Sequence, residues 1–418
     1  MIKAEVVVVG GGFAGVCAAL AAAENGADVL LVEKGNCLGG SACSGLVFPF
    51  MPYWTKDPKT GELLDLVQGI FRRIIEEMEP LFSATTQSRF HEEYLKLILN
   101  RMVQKAGVRL LYHAALTGVH KAGDRITGIT VAAPGKTEEI EGGVWIDCTG
   151  NGELSALSGC EFVLGRESDH LCQPMTLCFR VGGVKIDRFY QEKPALTELY
   201  RQKQREGSIK NCREDILSFT YPVHGVLHLN STRVIRRNPT DLADLTAAEI
   251  EAREQVFELF FFLKENAESF RNAEILSTAA EIGIRESRMI EGEYRLTVED
   301  LTGCRKFEDA ICCGNYDIDI HNPEGSGTSH FYFPEGTYYT VPYRSLCVKG
   351  MNNLLVAGRC ISATHEAQAS IRIMPICAAL GQAAGTAAAL CARQHCAARE
   401  LSYSLLRSAL EKGQAKVD

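Results

Sequence analysis

The chain has 418 residues, a formal charge of −8, 46% hydrophobic residues and 23% charged residues. This length suits two or three domains, or one large domain with an insertion, and the composition is that of an ordinary globular protein, not of collagen, a coiled coil or a disordered chain. The acidic balance argues against a protein built mainly to bind nucleic acid, because basic clusters such as Arg72-Arg73 and Arg236-Arg237 are short. No run reaches the roughly 18–20 continuous apolar residues of a membrane span. The apolar N-terminus is interrupted by Glu5 and Gly10 to Gly12 and shows no basic leader or cleavage site, so the expectation is a cytoplasmic protein. Sixteen cysteines form no CxxC pair and no metal-type spacing with histidine, which predicts reduced, mostly buried thiols and no metal.

The first element, Ala4 to Val9, is a β-branched run that predicts a strand buried on both faces. It closes in Gly10-Gly11-Gly12-Phe13-Ala14-Gly15, which satisfies G-x-G-x-x-G. A helix is predicted from Phe13 to about Asn25, capped by Gly26, and then a strand from Asp28 to Val32 that ends at Glu33. Gly10 permits the tight turn, Gly12 lets the backbone approach a pyrophosphate, and Gly15 allows close helix–strand packing. The helix N-terminus offers free N–H groups to phosphate. Glu33 suits ribose hydroxyls and repels a 2′-phosphate, which favours FAD or NAD over NADP.

Further along, helices are predicted at about Leu63 to Met78, stopped by Pro80, and at Gln87 to Ala106, followed by Gly107. Strands are predicted at Val108 to His113, Arg125 to Ala132 and Gly143 to Asp147. The first of these passes adenine near Ala114 and Ala115. The last runs into Cys148-Thr149-Gly150-Asn151-Gly152. The run Gly150-x-Gly152-x-x-Ser155 imitates a second fingerprint but lacks a strand before the expected acid. In the middle of the chain, Gln173 to Val184 and Val223 to Leu229 are predicted strands. Ala247 to Phe270 is a predicted helix whose Phe257, Phe260, Phe261 and Phe262 belong to a core, and Asn315 to Thr340 is a predicted loop over the site. Asn353 to Val356 forms a final buried strand ending in Gly358, and Pro375 opens a helix of small residues from about Ile376 to Leu390 whose N-terminus faces the cofactor.

These segments match a known family. The chain resembles the bacterial FAD-dependent oxidoreductase family of the glutathione-reductase structural type over nearly its whole length. The match is carried by Val6 to Gly15, Glu33 to Ser41, Asp147 to Gly152, Gly283 to Arg288, Asp317 to His321, Tyr338 to Leu346 and Leu354 to Gly385. In that type a glycine pair, here Gly39-Gly40, lets the loop after the acid pass against the dinucleotide, which favours FAD. The resemblance places flavin contacts at Gly10, Gly12, Gly15, Glu33, Gly40, Ser41, Gly150, Gly358 and Arg359. Phe13, Ala14, Lys34, Gly39, Ala115, Thr149 and Ile373 complete the expected cofactor set. Many relatives have Gly-Asp where this chain has Gly358-Arg359, and arginine cannot accept a ribityl hydrogen bond. The two-cysteine redox pattern is absent: Cys37 precedes the glycines and Cys43 follows them, so Cys43 is read as structural, while the role of the adjacent Cys312-Cys313 is left open.

The implied fold class is α/β. A Rossmann-like FAD-binding domain, with a parallel sheet and helices, is built from residues 1–160 and 340–395. An inserted α+β substrate or cap domain covers 161–339, and a helical tail covers 396–418. The implied activity is hydride transfer between a small organic substrate, such as a carboxylate, and the flavin. With no second complete nucleotide fingerprint, a separate electron acceptor or donor is implied. Proton transfer needs a base, for which His321 and His365 are favoured over His330 and His224. Cations that clamp a carboxylate are sought in Arg285, Arg288, Arg344 and Arg372, with Arg285 and Arg288 placed on one helical face. Competing readings are an electron-transfer or assembly subunit without its own substrate and, against the charge, an RNA-modification protein. Whether the chain forms a homo-oligomer is left open.

Overall fold

The structure is a computed structural model and describes residues 2–418. Its central sheet explains why both ends of the chain are needed. The opening strand, Ile2–Val9, lies between Val29–Val32 and Lys136–Asp147 and is parallel to both. Arg109–Leu111 extends the sheet beyond Val29–Val32. The long strand Lys136–Asp147 changes neighbours along its length. Residues 136–141 pair antiparallel with Arg125–Ala133, which forms a hairpin with Ala115–Ala122. Its last three residues pair parallel with Leu354–Val356. Buried Asn353 sits at the change of partner, where its amide donates to the carbonyls of Ile126 and Gly143 and accepts from the Ile126 N–H. One side chain thus satisfies backbone groups that the fork would leave unpaired.

Strands buried on both faces need helices above and below. Helix Phe13–Glu24 packs against helix Met374–Gln394, whose small residues let the two backbones approach. A Cβ at Gly381 would fall on the carbonyl oxygen of Ala14, and one at Gly385 on that of Ala18. The second helix is long and apolar enough to cross a membrane, but nearly all of it is buried inside this core.

A second hydrophobic core runs from Met175 to Ile282, joined by Leu46. It consists of a four-stranded antiparallel sheet, in the order Ser218–Thr220, Leu227–Leu229, Phe179–Gly182, Glu274–Thr278, covered by helices Ile186–Arg205 and Leu242–Asn266. Ile290, Leu296, Leu301, Ile311 and Ile318 belong to the first core. A buried ion pair between Glu92 and Arg180, with Tyr221 donating to the same carboxylate, ties the two cores together.

Several predicted elements differ. Leu63–Asp65 is a strand paired with Trp54–Lys56, and the helix is confined to Ile70–Met78. Helix Ile186–Arg205 was not anticipated, because Pro194 lies inside it. Phe260 and Phe262 enter the core, while Phe257 and Phe261 face outward. The predicted loop 315–340 contains a hairpin of Ile318–His321 and Thr328–Phe331, followed by Tyr339–Pro342 paired with Ala310–Gly314.

Candidate active site

Two connected hollows lie where the cores meet. The first is a crevice of about 240 Å3 along the ends of the parallel strands, lined by Gly10 to Ala14, Val32 to Cys37, Gly40, Ser41, Ala114, Leu116, Cys148 to Asn151, Ala280 to Ile284 and Ala357 to Arg359. It opens into a cavity of about 800 Å3 between the cores. Ser41, Gly283, Ile284, Arg359, Arg372 and Met374 border both.

Glycine backbone shapes one side of the crevice. Gly10 has φ +101°, and a Cβ there would strike Cys148, so the strand-to-helix turn requires glycine. At Gly12 a Cβ would meet only Gly40, at 3.9 Å, so the protein's own packing leaves this cradle open. Gly15 does not line the crevice but lets the helix rest on the Gly10 carbonyl. Gly39 likewise turns the loop, at φ +104°, without lining it. The helices starting at Phe13 and Met374 both lack a side-chain cap, so their first N–H groups remain available to acceptors. Glu33 accepts from the N–H groups of Gly11 and Gly35, both at 2.6 Å, which fixes its carboxylate at the end of the second strand.

On the opposite wall, buried Asp147 shapes the Thr149-Gly150-Asn151 loop. One of its oxygens accepts from the N–H and hydroxyl of Thr149, and the other from the N–H and hydroxyl of Ser155. Arg359 lies over Gly150 and donates to the Ile284 carbonyl and the Asn151 side chain, with no carboxylate partner among the described residues. Two expectations are corrected. Ala115 faces away from the crevice and its neighbours Ala114 and Leu116 line it, as strand alternation dictates. Ile373 lines the larger cavity and not the crevice.

The larger cavity is built from side chains. Its lining is apolar and aromatic at Phe48, Met51, Trp54, Phe219 and Phe333, and polar at Arg213, Arg285, Arg372, Asp319 and His321. The hairpin 318–331 supplies much of this polar lining from one face. Asp317, Asp319 and His321 alternate along one strand, Thr328, His330 and Tyr332 along the other, and all six line the cavity. The period-two pattern of Asp317-Ile318-Asp319-Ile320-His321 carried this information, and the Gly-rich, His-rich context masked it.

The candidate bases and clamps separate. His321 is buried. Its Nδ1 faces Arg233 at 3.1 Å and Arg213 at 3.4 Å, and its Nε2 faces Asp319 at 3.3 Å. Guanidinium only donates, so Nδ1 must accept and Nε2 carries the proton. Burial first, then Arg285, lowers the pKa of His321 well below the usual value, leaving it neutral and fully engaged. His365 lines neither hollow and is paired at 2.7 Å with the buried carboxylate of Glu286, a structural position. His224 is exposed on a turn outside the cavity. Arg344 is half-exposed against Asp309, also outside.

The helical pairing of Arg285 with Arg288 is absent, because no helix covers residues 281–287. Arg288 turns to the Asn151 carbonyl and lines neither hollow, whereas Arg285 faces the larger cavity. Arg285 donates to the Pro174 carbonyl, the Thr176 hydroxyl and the Asn230 side chain. It has no carboxylate partner among the described residues. Burial, then the nearby Arg372 and Arg213, lower its pKa to about 9, so it stays charged at neutral pH. Arg372 is paired at 3.0 Å with Asp319.

A glycine cradle at a helix start, a ribose-height acid and two uncapped helix N-termini define a dinucleotide-dependent enzyme. The sequence model of the family described as FAD dependent oxidoreductase matches residues 5–410, and the chain belongs to that family. FAD is its cofactor, and the activity is that of an FAD-dependent oxidoreductase. The thiamine thiazole synthase of Aeropyrum pernix is 30% identical over 132 residues, which are 31% of this chain and 44% of that protein. The solved structures similar to this chain include a geranylgeranyl bacteriochlorophyll reductase-like protein of Thermoplasma acidophilum, with TM-score 0.48, 14% identity and coverage of 100% of this chain and 85% of that one. They also include the p-nitrophenol 4-monooxygenase of Pseudomonas putida, with TM-score 0.49, 11% identity and coverage of 98% and 84%.

Proposed function

We propose that this enzyme, of the glutathione-reductase structural type, moves a hydride between a small organic acid and FAD and exchanges the electrons with a separate partner. The observation that carries the reading is Arg285, a desolvated cation in the wall of an 800 Å3 cavity, which feels the charge of Asp319 but forms no ion pair with any carboxylate among the described residues. A guanidinium in that position favours a bound carboxylate, and its planar fork sets the acid's orientation. The aromatic lining of the same cavity suits an apolar body attached to that acid. Bound FAD supplies two-electron chemistry, and the protein's part is to hold the acid, fix the reacting carbon and exclude water. An electron-transfer or assembly subunit would have no use for such a cavity.

The test is anaerobic mixing of the FAD-loaded protein with hydroxy acids, amino acids and their carboxamide counterparts, followed by flavin absorbance. Bleaching by acids, and not by the matching amides, is the expected result. Equal bleaching by amides, or none by any acid, would sink the proposal.

A further inference from the structure

We infer that Asp317 and His330 form the proton-transferring pair of the larger cavity, with His330 Nε2 the atom that exchanges a proton with substrate. This rests on the redox reading above and identifies the group that the reading still requires. Removing a hydride from a C–H bond beside a hydroxyl or amine also demands removal of the O–H or N–H proton.

Both cavity-lining histidines sit on one face of the hairpin, but their states differ. His321 has both ring nitrogens occupied. His330 has its Nδ1 2.6 Å from Asp317 Oδ2, and its Nε2 has no protein partner among the described residues. A carboxylate at Nδ1 fixes the proton there and leaves the lone pair of Nε2 free, the arrangement of an oriented base. Tyr332 stacks on the ring at 5.3 Å with an interplanar angle of 6°, which holds its plane. Asp317 is largely buried, at 15% side-chain exposure, while His330 keeps 35%, so one side of the ring reaches solvent.

The balance is simple. In oxidation of H–C–O–H, or of its amine equivalent, the C–H and O–H bonds break and C=O forms. The hydride and its electron pair go to the bound cofactor, which is the oxidant. The O–H proton goes to His330 Nε2, giving an imidazolium beside the Asp317 carboxylate, and then passes to water through the exposed edge. Reduction runs the same steps backward. His330 is the catalytic residue and Asp317 its positioning residue.

Two measurements test this on the FAD-loaded full chain. Nitrogen NMR of 15N-histidine-labelled protein should find neutral His330 in the Nδ1–H form, and Asp317→Asn should mix the two tautomers. An Nε2–H form in the unaltered protein overturns the inference whether or not any substrate has been found. With an acid that bleaches the flavin, His330→Gln should retain FAD and slow bleaching by roughly 10²-fold or more, mostly in kcat and not in KM. Asp317→Asn should fall between that variant and the unaltered chain. Unchanged bleaching in His330→Gln also overturns it. Failure of every acid to bleach the unaltered protein would instead strike the substrate reading, and the tautomer measurement would still decide the pair.

Discussion

The crevice and the cavity adjoin but are built on opposite plans. The crevice is shaped by glycines, two helix starts and a carboxylate held by two N–H groups. The cavity is made of side chains, with its charges placed by a hairpin face and by a non-helical segment. A coenzyme presents the same phosphates and riboses wherever it binds, and backbone geometry is enough to receive them. A particular substrate has to be met by particular side chains.

The largest way to break this contrast is at the helix contact behind the crevice. Gly381→Val drives a side chain into the Ala14 carbonyl. The expected cost is about 3 kcal/mol or more, with FAD lost on gel filtration and a lower urea midpoint. If FAD is retained at full stability, the crevice does not depend on that packing. Arg285→Met probes the other plan. FAD content should be unchanged while KM for the acid substrate rises roughly 10- to 100-fold, the worth of a charged hydrogen bond. Loss of FAD instead would assign Arg285 to the cofactor.

A third effect depends on pH. His228, on strand Leu227–Leu229 of the second core, is fully buried and neither ring nitrogen has a partner. Burial first, then Arg180, lowers its pKa to about 3. The unfolded chain takes up a proton near pH 6.5, which the folded chain refuses. The stability is therefore complete above about pH 6.5 and is lost as pH falls toward 3, at about 1.4 kcal/mol per unit for one group. Between pH 7 and pH 5 the urea midpoint should fall less in His228→Phe than in the unaltered chain, and an equal fall would reject His228 as the source. The smallest expected change is in Cys43→Ala. Burial raises this thiol far above its usual pKa, so flavin bleaching should keep its rate and stability should shift by about 1 kcal/mol. A lost reaction would make Cys43 a redox group.

The same contrast governs what could be read from the residues alone. Val6 to Gly15, Glu33 and the small-residue helix after Pro375 announce the crevice, because its requirements are steric and local. The cavity residues come from stretches far apart in sequence: Phe48 to Trp54, Thr176, Arg213, Asn230, Arg285 and 315–333. Nothing local says that Arg285 turns inward while Arg288 turns to Asn151, since that choice follows from a non-helical segment bridged at Gly283 to Thr176. Asp147 was read as part of a strand end, but its role in bracing the next loop needed coordinates. Helix Ile186–Arg205 hid behind Pro194, which packing against the second core outweighs.

The strand Leu354–Val356 and helix Met374–Gln394 have a consequence for biosynthesis. A nascent polypeptide that has reached only residue 350 already contains the glycine turn and Glu33. It still lacks the strand beside Asp147 and the helix against which Ala14 and Ala18 close. Coenzyme capture therefore waits until translation has passed this helix, and until then the half-made sheet leaves an apolar edge uncovered.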